Sequence, residues 1–377
     1  MFDYQKDLEQ SRNNLYILGL NVRFKNICLE ANFSLNHLKW VYSGTNPSFK
    51  TKANIPSVKE IIKYLRSLGI KSVRVGIDID QILRDSDDIS TAIPDISGYT
   101  EFLDEIRLNG MRVIISFGIK TQRWPEIHIS DSMINNIYGK NIPKNNSTLT
   151  IEDPLVIGMK TLRERVYDSL NPYLDIIEAI QVENEPFNRF GIRKWTLDKL
   201  ALKDAIIQAL EYFPNTKVLV NVSQNIGELR KLRNIYFEIE KERVGSLTRL
   251  IVGVNHYPVD PSYPLGLLGE TFWKIVLSVL HYELRVLREK SVEIVITENQ
   301  IEPWYGDSYK EKRFKEIGKT INSMNFLLIR TFKFLNINKE NKTKTKVYLW
   351  GVEELYRSNE EGNHDISRII RKINDLS

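Results

Sequence analysis

Short β-branched runs, each closing on polar or small residues and each followed by a longer stretch with helical spacing, recur along the whole chain. Such runs read as buried strands, and the stretches between them as amphipathic helices. Eight segments carry the strand signal: residues 15–21, 72–77, 112–117, 176–182, 217–222, 250–257, 293–297 and 347–350. Helical spacing marks residues 58–68, 99–108, 155–170, 197–212, 270–289 and 309–335, with 366–373 as a closing helix. Parallel strands need a crossover, most often a helix. Eight strands alternating with helices therefore predict an α/β fold, a (β/α)8 TIM barrel. A doubly wound open sheet would open with a glycine-rich turn after its first strand, and residues 15–24 contain only Gly19. The 377 residues suit one such barrel with long loops, expected as a single domain over 1–377.

One connection is unusually long. Residues 118–153, after the third strand, hold Pro125, Pro143 and many Asn and Ser residues before Pro154 opens the next helix. A structureless loop of that length in a compact domain is usually functional. Strand-to-helix loops lie at the C-terminal face of a barrel, where active sites form. This loop is expected to help build a substrate cleft.

Composition and charge exclude several other classes. The net charge is +5, from 53 Lys and Arg set among 48 Asp and Glu, without the concentrated basic face that nucleic acid demands. The densest basic stretch, residues 339–346, is rich in Asn and Thr and reads as a solvated loop. Cys28 is the only cysteine, and His37, His128, His256, His281 and His364 are far apart, so no zinc-ligand spacing is present. No metal or cofactor is expected. The most apolar stretch, 272–287, is interrupted by Lys274, His281, Glu283 and Arg285, too short and charged to span a bilayer. The chain opens on polar and charged residues without a signal peptide's apolar core. A cytoplasmic protein is the default expectation, and a secreted one if a leader has been removed. Oligomeric state is left open.

The fourth predicted strand ends Gln181-Val182-Glu183-Asn184-Glu185-Pro186, and the seventh ends Val295-Ile296-Thr297-Glu298-Asn299-Gln300. Each puts a glutamate at the C-terminal end of an apolar run. They are 298 − 185 = 113 residues apart, or about 38 per βα unit, a reasonable length for a barrel. Two carboxylates converging on one mouth are what glycoside hydrolysis needs: one protonates the leaving oxygen, the other attacks the anomeric carbon. Glu183 shares the parity of Glu185 and is expected to point the same way, as a barrel-interior or supporting residue. Glu302 rivals Glu298 but lies past the strand.

With these motifs the chain resembles the clan A glycoside hydrolases, the superfamily of cellulases, β-mannanases and β-galactosidases. Gln181-Val182-Glu183-Asn184-Glu185 is similar to the strand-four sequence of some β-galactosidases, and Ile296-Thr297-Glu298, continuing to Glu302-Pro303-Trp304, is similar to cellulase-like members. The resemblance implies a retaining hydrolase of β-linked glycosides, with Glu185 as general acid/base and Glu298 as nucleophile. It also implies that Arg74 orients the nucleophile, that Asn184 binds the sugar 2-hydroxyl, that Tyr257 donates its hydroxyl to the nucleophile, and that Trp350 floors the sugar site. In the long third loop, Trp124 could stack on a sugar while Glu126 and His128 hydrogen-bond to it, and Trp304 has similar standing. An ion pair for Arg74, core packing for Tyr257 and Trp350, and a loop folded on itself around Trp124 are the structural alternatives.

The chain departs from the pattern at its third strand, which ends Ile115-Ser116-Phe117-Gly118 without the histidine that many cellulase-like members carry. The expected partner is an oligosaccharide, polysaccharide or simple glycoside. A transglycosidase on the same two carboxylates, or a catalytically inactive carbohydrate-binding barrel, is the alternative; a metal-dependent hydrolase barrel lacks its clustered ligands. Sugar, linkage and endo or exo action are left open.

Overall fold

The computed structural model describes residues 27–43, 52–85, 87–123, 125–223, 225–256, 279–280, 282–300, 345–362 and 364–376. Eight parallel strands close into a barrel: β1 (Ile27–Phe33), β2 (Ser72–Gly76), β3 (Arg112–Ser116), β4 (Ile177–Glu183), β5 (Lys217–Val222), β6 (Leu250–His256), β7 (Glu293–Gln300) and β8 (Thr345–Trp350). Their order around the sheet is β1-β8-β7-β6-β5-β4-β3-β2. The described helices are α1 (Leu35–Tyr42), α2 (Val58–Ser67), α3 (Ser97–Leu108), α4 (Asp131–Tyr138), α5 (Pro154–Leu170), α6 (Lys199–Tyr212), α7 (Ile226–Glu242), α8 (Val352–Glu360) and α9 (Asp365–Leu376), with a short helical turn at Ile79–Ile82. No helix among the described residues is long and apolar enough to cross a membrane.

Seven of the eight strands coincide with the expected segments. The first does not: β1 is Ile27–Phe33, and residues 15–21 lie outside the described residues. The reason is chemical. Ile27-Cys28-Leu29-Glu30-Ala31-Asn32-Phe33 carries Glu30 and Asn32 among its apolar residues, and both polar side chains are buried. Polar groups that find partners inside a barrel break the apolar run by which a strand is recognised.

The chain divides into two compact units, one of Met1–Ile70, His256–Ser278 and Ile296–Ser377, the other of Lys71–Asn255 and Val279–Val295. In the second unit β2, β3, β4, β5 and β6 pair in parallel, and the register of β2 on β3 runs from Ser72↔Arg112 to Gly76↔Ser116. Apolar residues of these strands, Val73, Val113, Ala179, Ile180, Val218 and Val252, are wholly buried. The helices begin where the sequence supplies caps. Asp153 accepts from the Leu155 N–H with Pro154 at the first helical position of α5, Asp198 caps α6, and Asn225 caps α7. Each such cap is worth about 1 kcal/mol.

The long third connection is not structureless. It contains α4, capped by Ser130, and residues Thr148–Leu149, which pair in parallel with Thr196–Leu197. Tyr138 meets Trp195 edge to face, and Trp195 donates to the Lys144 carbonyl at 3.1 Å. The loop is thereby tied to the segment that follows β4.

In the first unit, β1 pairs with β8 from Ile27↔Thr345 to Ala31↔Leu349, and β8 pairs with β7. A capping box of Ser57 and Glu60 starts α2. At the other end of the chain, the Asn374 side chain of α9 accepts from the Leu29 N–H at 3.0 Å and donates to the carbonyls of Leu29 at 3.1 Å and Leu68 at 3.0 Å. It lies against Gly69, whose positive φ of 78° and lack of Cβ allow the approach, since a Cβ there would stand 2.8 Å from the Cβ of Asn374.

Candidate active site

Glu185 lies two residues beyond β4 and is 6% exposed. Its φ is +44°, a left-handed conformation that costs a residue with a side chain about 1–2 kcal/mol. Its surroundings impose that conformation. The Glu185 N–H donates to Asn221 Oδ1 at 3.0 Å, and its carbonyl accepts from Lys120 Nζ at 3.0 Å and from the Asn188 N–H at 3.0 Å. The carboxylate is gripped as well: Asn255 Nδ2 donates to Oε1 at 2.7 Å, and Asn188 Nδ2 to Oε2 at 2.7 Å. Backbone held in a sparsely populated region by several independent bonds is characteristic of functional positions.

Arg74 on β2 is fully buried and spreads its guanidinium over β4, Nε to Gln181 Oε1 at 2.7 Å and Nη2 to Asn184 Oδ1 at 2.8 Å. Asn221 on β5 extends the network, accepting from Gln181 Nε2 at 2.8 Å and donating to Asn184 Oδ1 at 2.9 Å and Asn255 Oδ1 at 3.0 Å. Gln181, Asn184, Glu185, Arg74, Asn221 and Asn255 thus form one polar cluster drawn from β2, β4, β5 and β6.

Glu183 does not join them. The register of β4 on β5 steps from Gln181↔Leu219 to Glu183↔Val220, so two residues of β4 oppose one of β5. This bulge turns Glu183 away from the side that Gln181 faces, and Glu185, beyond the strand at φ +44°, does not keep the two-residue alternation by which it and Glu183 were expected to point alike. Gln181 and Asn184 turn to Arg74, while Glu183 turns to α5 and the loop after β3. There it accepts from the N–H groups of Ile119 at 3.1 Å and Lys120 at 2.9 Å and faces Arg163 at 3.6 Å. Complete burial pushes its pKa up to about 7, against the opposing pull of Arg163 and the two N–H groups. The close approach rests on Gly118: a Cβ there would stand 2.3 Å from the Val182 carbonyl oxygen.

The third loop supplies Lys120, fully buried, whose Nζ also donates to the Asn188 carbonyl at 2.8 Å and pairs with Glu126 Oε2 at 3.0 Å. Glu126, at φ +68°, is buried in this ion pair. His128 Nε2 lies 3.3 Å from the Arg123 carbonyl oxygen and 3.8 Å from Asp78 Oδ1. Asp78 accepts from the Thr121 hydroxyl at 2.8 Å. Trp124 lies outside the described residues.

Glu298, on β7 in the other unit, is 3% exposed between Thr297 and Asn299. Its strand is bulged too: Val347↔Ile296 is followed by Leu349↔Asn299, so three steps on β7 match two on β8 at Thr297 and Glu298. Bulges next to active sites commonly re-aim a side chain. Asn32 Nδ2 on β1 secures the bulge by donating to the Thr297 carbonyl at 2.9 Å and to the Tyr348 carbonyl at 3.2 Å. Trp350 ends β8, buried, immediately before Gly351 at φ 93°. Tyr257, Trp304 and Glu302 lie outside the described residues.

Two groups among the described residues bring three potential metal-ligand atoms within 4.8 Å: His37 with Glu353 and Glu354, and Asp78 with Asp80 and His128. Hydrogen bonds already engage them. His37 pairs with Glu354 at 2.5 Å, Glu353 accepts from the Ser34 N–H at 2.7 Å, and Asp78 is held by Thr121. Sequence reading had not singled out Lys120, Asn188, Asn221 or Asn255. A signal did exist for the two strand asparagines, each a lone amide near the end of an apolar run: Val218-Leu219-Val220-Asn221 and Val252-Gly253-Val254-Asn255.

No protein-family model matches the chain, and no curated protein matches it in sequence. Solved structures do match its fold. An exo-β-1,4-mannosidase from Opitutaceae bacterium strain TAV5 aligns with a TM-score of 0.52 at 12% identity, over 93% of this chain and 59% of that one. A glycoside hydrolase family 5 enzyme from Prevotella bryantii B14 aligns with a TM-score of 0.50 at 11% identity, over 94% of this chain and 97% of that one. The tri-modular endo-β-1,4-glucanase B from Bacillus halodurans gives 0.51 at 11% identity, over 88% and 56%. The chain has the barrel fold on which these glycoside hydrolases are built.

Proposed function

We propose that the protein is a retaining glycoside hydrolase acting on β-linked sugars, with Glu185 as acid/base and Glu298 as nucleophile. The observation that carries the reading is Glu185 itself: a buried carboxylate at a strand end, in a left-handed backbone conformation, with hydrogen bonds fixing its N–H, its carbonyl and both carboxylate oxygens. A helix cap or surface ion pair needs none of this. Glu298, buried at a bulge of β7, has the matching character.

In this reading Glu298 attacks the anomeric carbon as the glycosidic C–O bond breaks, and Glu185 delivers its proton to the departing oxygen. Water then attacks the glycosyl-enzyme while Glu185 takes the proton back, returning the substrate's own anomeric configuration. Retention requires the two carboxyl groups about 5–5.5 Å apart, too close for a water between nucleophile and sugar. Asn184, held by Arg74 and Asn221, is suited to a sugar hydroxyl beside the reacting carbon. Trp350 and the residues of the third loop would shape the sugar sites.

A panel of aryl β-glycosides together with soluble β-glucans and mannans tests the activity. Glu298→Gly should be inactive, with azide restoring turnover and yielding a glycosyl azide of inverted configuration. Activity of Glu298→Gly without azide above a few per cent, or proton NMR showing the opposite anomer first, overturns the assignment. An acceptor sugar included in the assay separates hydrolysis from transfer to a second hydroxyl.

A further inference from the structure

The amides around Glu185 do more than hold it: their donor and acceptor ends are fixed, and the direction of that network selects one carboxylate oxygen. Two groups anchor the direction, because each can only donate. Arg74 Nε donates to Gln181, so the Gln181 oxygen faces Arg74 and its Nε2 must face Asn221. The backbone N–H of Glu185 points at the same atom of Asn221, which must therefore be Oδ1. Asn221 Nδ2 is then left to face Asn184 and Asn255. Asn184 presents its oxygen, since Arg74 Nη2 donates to that atom as well. Asn255 must present Oδ1 to Asn221, which turns its own Nδ2 onto Glu185 Oε1 at 2.7 Å. Gln181, Asn221 and Asn255 are all buried, where an amide turned the wrong way loses its partner at a cost.

We propose that Asn221 and Asn255 are positioning residues that confine the transferable proton of Glu185 to Oε2. Oε1 faces an N–H that can only donate, so a proton placed there would meet a second hydrogen. Oε2 faces Asn188, whose side chain has that one hydrogen bond among the described residues. A half-turn of the Asn188 amide offers its oxygen to an Oε2–H, and the opposite half-turn steadies the carboxylate after the proton has left. The proposal rests on the reading of Glu185 as acid/base and adds which oxygen acts and what selects it.

Neutron diffraction from deuterated crystals at acidic pD reads the geometry directly, with no substrate. The expected map shows deuterium on Oε2 of Glu185 and the two deuterons of Asn255 on the atom facing Oε1. Deuterium on Oε1, or the Asn255 oxygen facing Glu185, overturns the proposal. The isosteric Asn221→Asp reads the consequence. It keeps the acceptor for the Glu185 N–H but turns an oxygen toward Asn255, which must flip and offer Oδ1 to Glu185, drawing the proton to Oε1. For glycosides with poor leaving groups kcat/KM should fall about 100-fold, the scale of general acid catalysis. For dinitrophenyl glycosides, whose departure needs no proton, it should change less than about threefold. An equal loss on both substrate classes marks a merely structural role and sinks the proposal. Asn255→Asp, which sets an acid against Oε1, should give the same split. Glu185→Gln separates the two readings: full activity on poor leaving groups removes Glu185 as the acid, whatever the neutron map shows. Loss of activity in Glu185→Gln with none in the two asparagine variants removes only the relay.

Discussion

Gly118 gives the sharpest test of how β3 and β4 meet. Replacing it with alanine puts a Cβ 2.3 Å from the Val182 carbonyl oxygen, 2.6 Å from Glu183 Cδ and 2.7 Å from Glu183 Oε2. Ordinary carbon–oxygen contact needs about 1 Å more, and the nearest obstacle is backbone, which cannot rotate away. Overpacking of this kind costs about 1–3 kcal/mol. Moving Glu183 also weakens its bonds from Ile119 and Lys120, and hydrogen bonds to a buried charge contribute about 1.5–3 kcal/mol each. Gly118→Ala should therefore be destabilised by roughly 3–5 kcal/mol. Because Val182 and Glu183 lead directly into Asn184 and Glu185, kcat/KM for the proposed glycoside hydrolysis should fall with it. Gly98→Ala is the control. A Cβ at Gly98 meets nothing within 4 Å, and alanine favours the helix by about 0.5–1 kcal/mol. Urea unfolding of both variants checks the pair. If Gly118→Ala unfolds within about 1 kcal/mol of the parent and keeps full activity, the close approach of the two strand ends is not the constraint inferred.

Glu183 makes stability pH-dependent. Its pKa is raised from 4.5 to about 7 in the folded protein, so between those values the native state binds more protons than the unfolded one. Stability should fall as pH rises through that window, by up to about 3 kcal/mol, and Glu183→Gln should flatten the fall in melting curves recorded across it. Lys120→Met leaves Glu126 buried without its cation, takes the Lys120 donor from the Asn188 carbonyl, and leaves the Glu185 carbonyl with the Asn188 N–H alone of its two donors. It should cost about 3–5 kcal/mol, and a chemical-denaturation midpoint equal to the parent's would contradict the role. Asn374→Ala removes three hydrogen bonds to Leu29 and Leu68 and should cost about 2–3 kcal/mol. Calorimetry showing an unchanged melting temperature would mean water replaces them without loss.

Much of the barrel was legible because its middle strands are apolar without interruption. Val113, Ile114 and Ile115 of β3, or Val218, Leu219 and Val220 of β5, leave no other reading once the helices between them are recognised. The first strand escaped because Glu30 and Asn32 are buried polar residues, and a sequence does not show that they have partners. Glu185 and Glu298 were visible as strand-end acids. The separation of Glu183 from Glu185 was not, since no composition marks the bulge that turns Glu183 away from Gln181 or the left-handed backbone of Glu185 beyond the strand. Lys120 and Asn188 come from loops, where no periodicity tells which side chain turns inward. Asn221 and Asn255 were hidden in plain view, as amides in runs that otherwise exclude polar groups.

The pairing of β1 with β8 sets a timetable for the newborn chain. Ile27 lies beside Thr345, 345 − 27 = 318 residues later. At about 5–20 residues per second, the first strand waits roughly 15–60 s for its partner. Residues 71–255, by contrast, emerge as an unbroken stretch of one unit. β2 to β6 can therefore pair while the ribosome is still at work. Throughout that wait the edge of β1 that will meet β8 stands unpaired, beside Leu29, Ala31 and Phe33 that the finished fold buries, an edge of the kind that aggregates or recruits chaperones. The buried Glu30 and Asn32 that disguised this strand in the sequence also make it a poor template for such pairing.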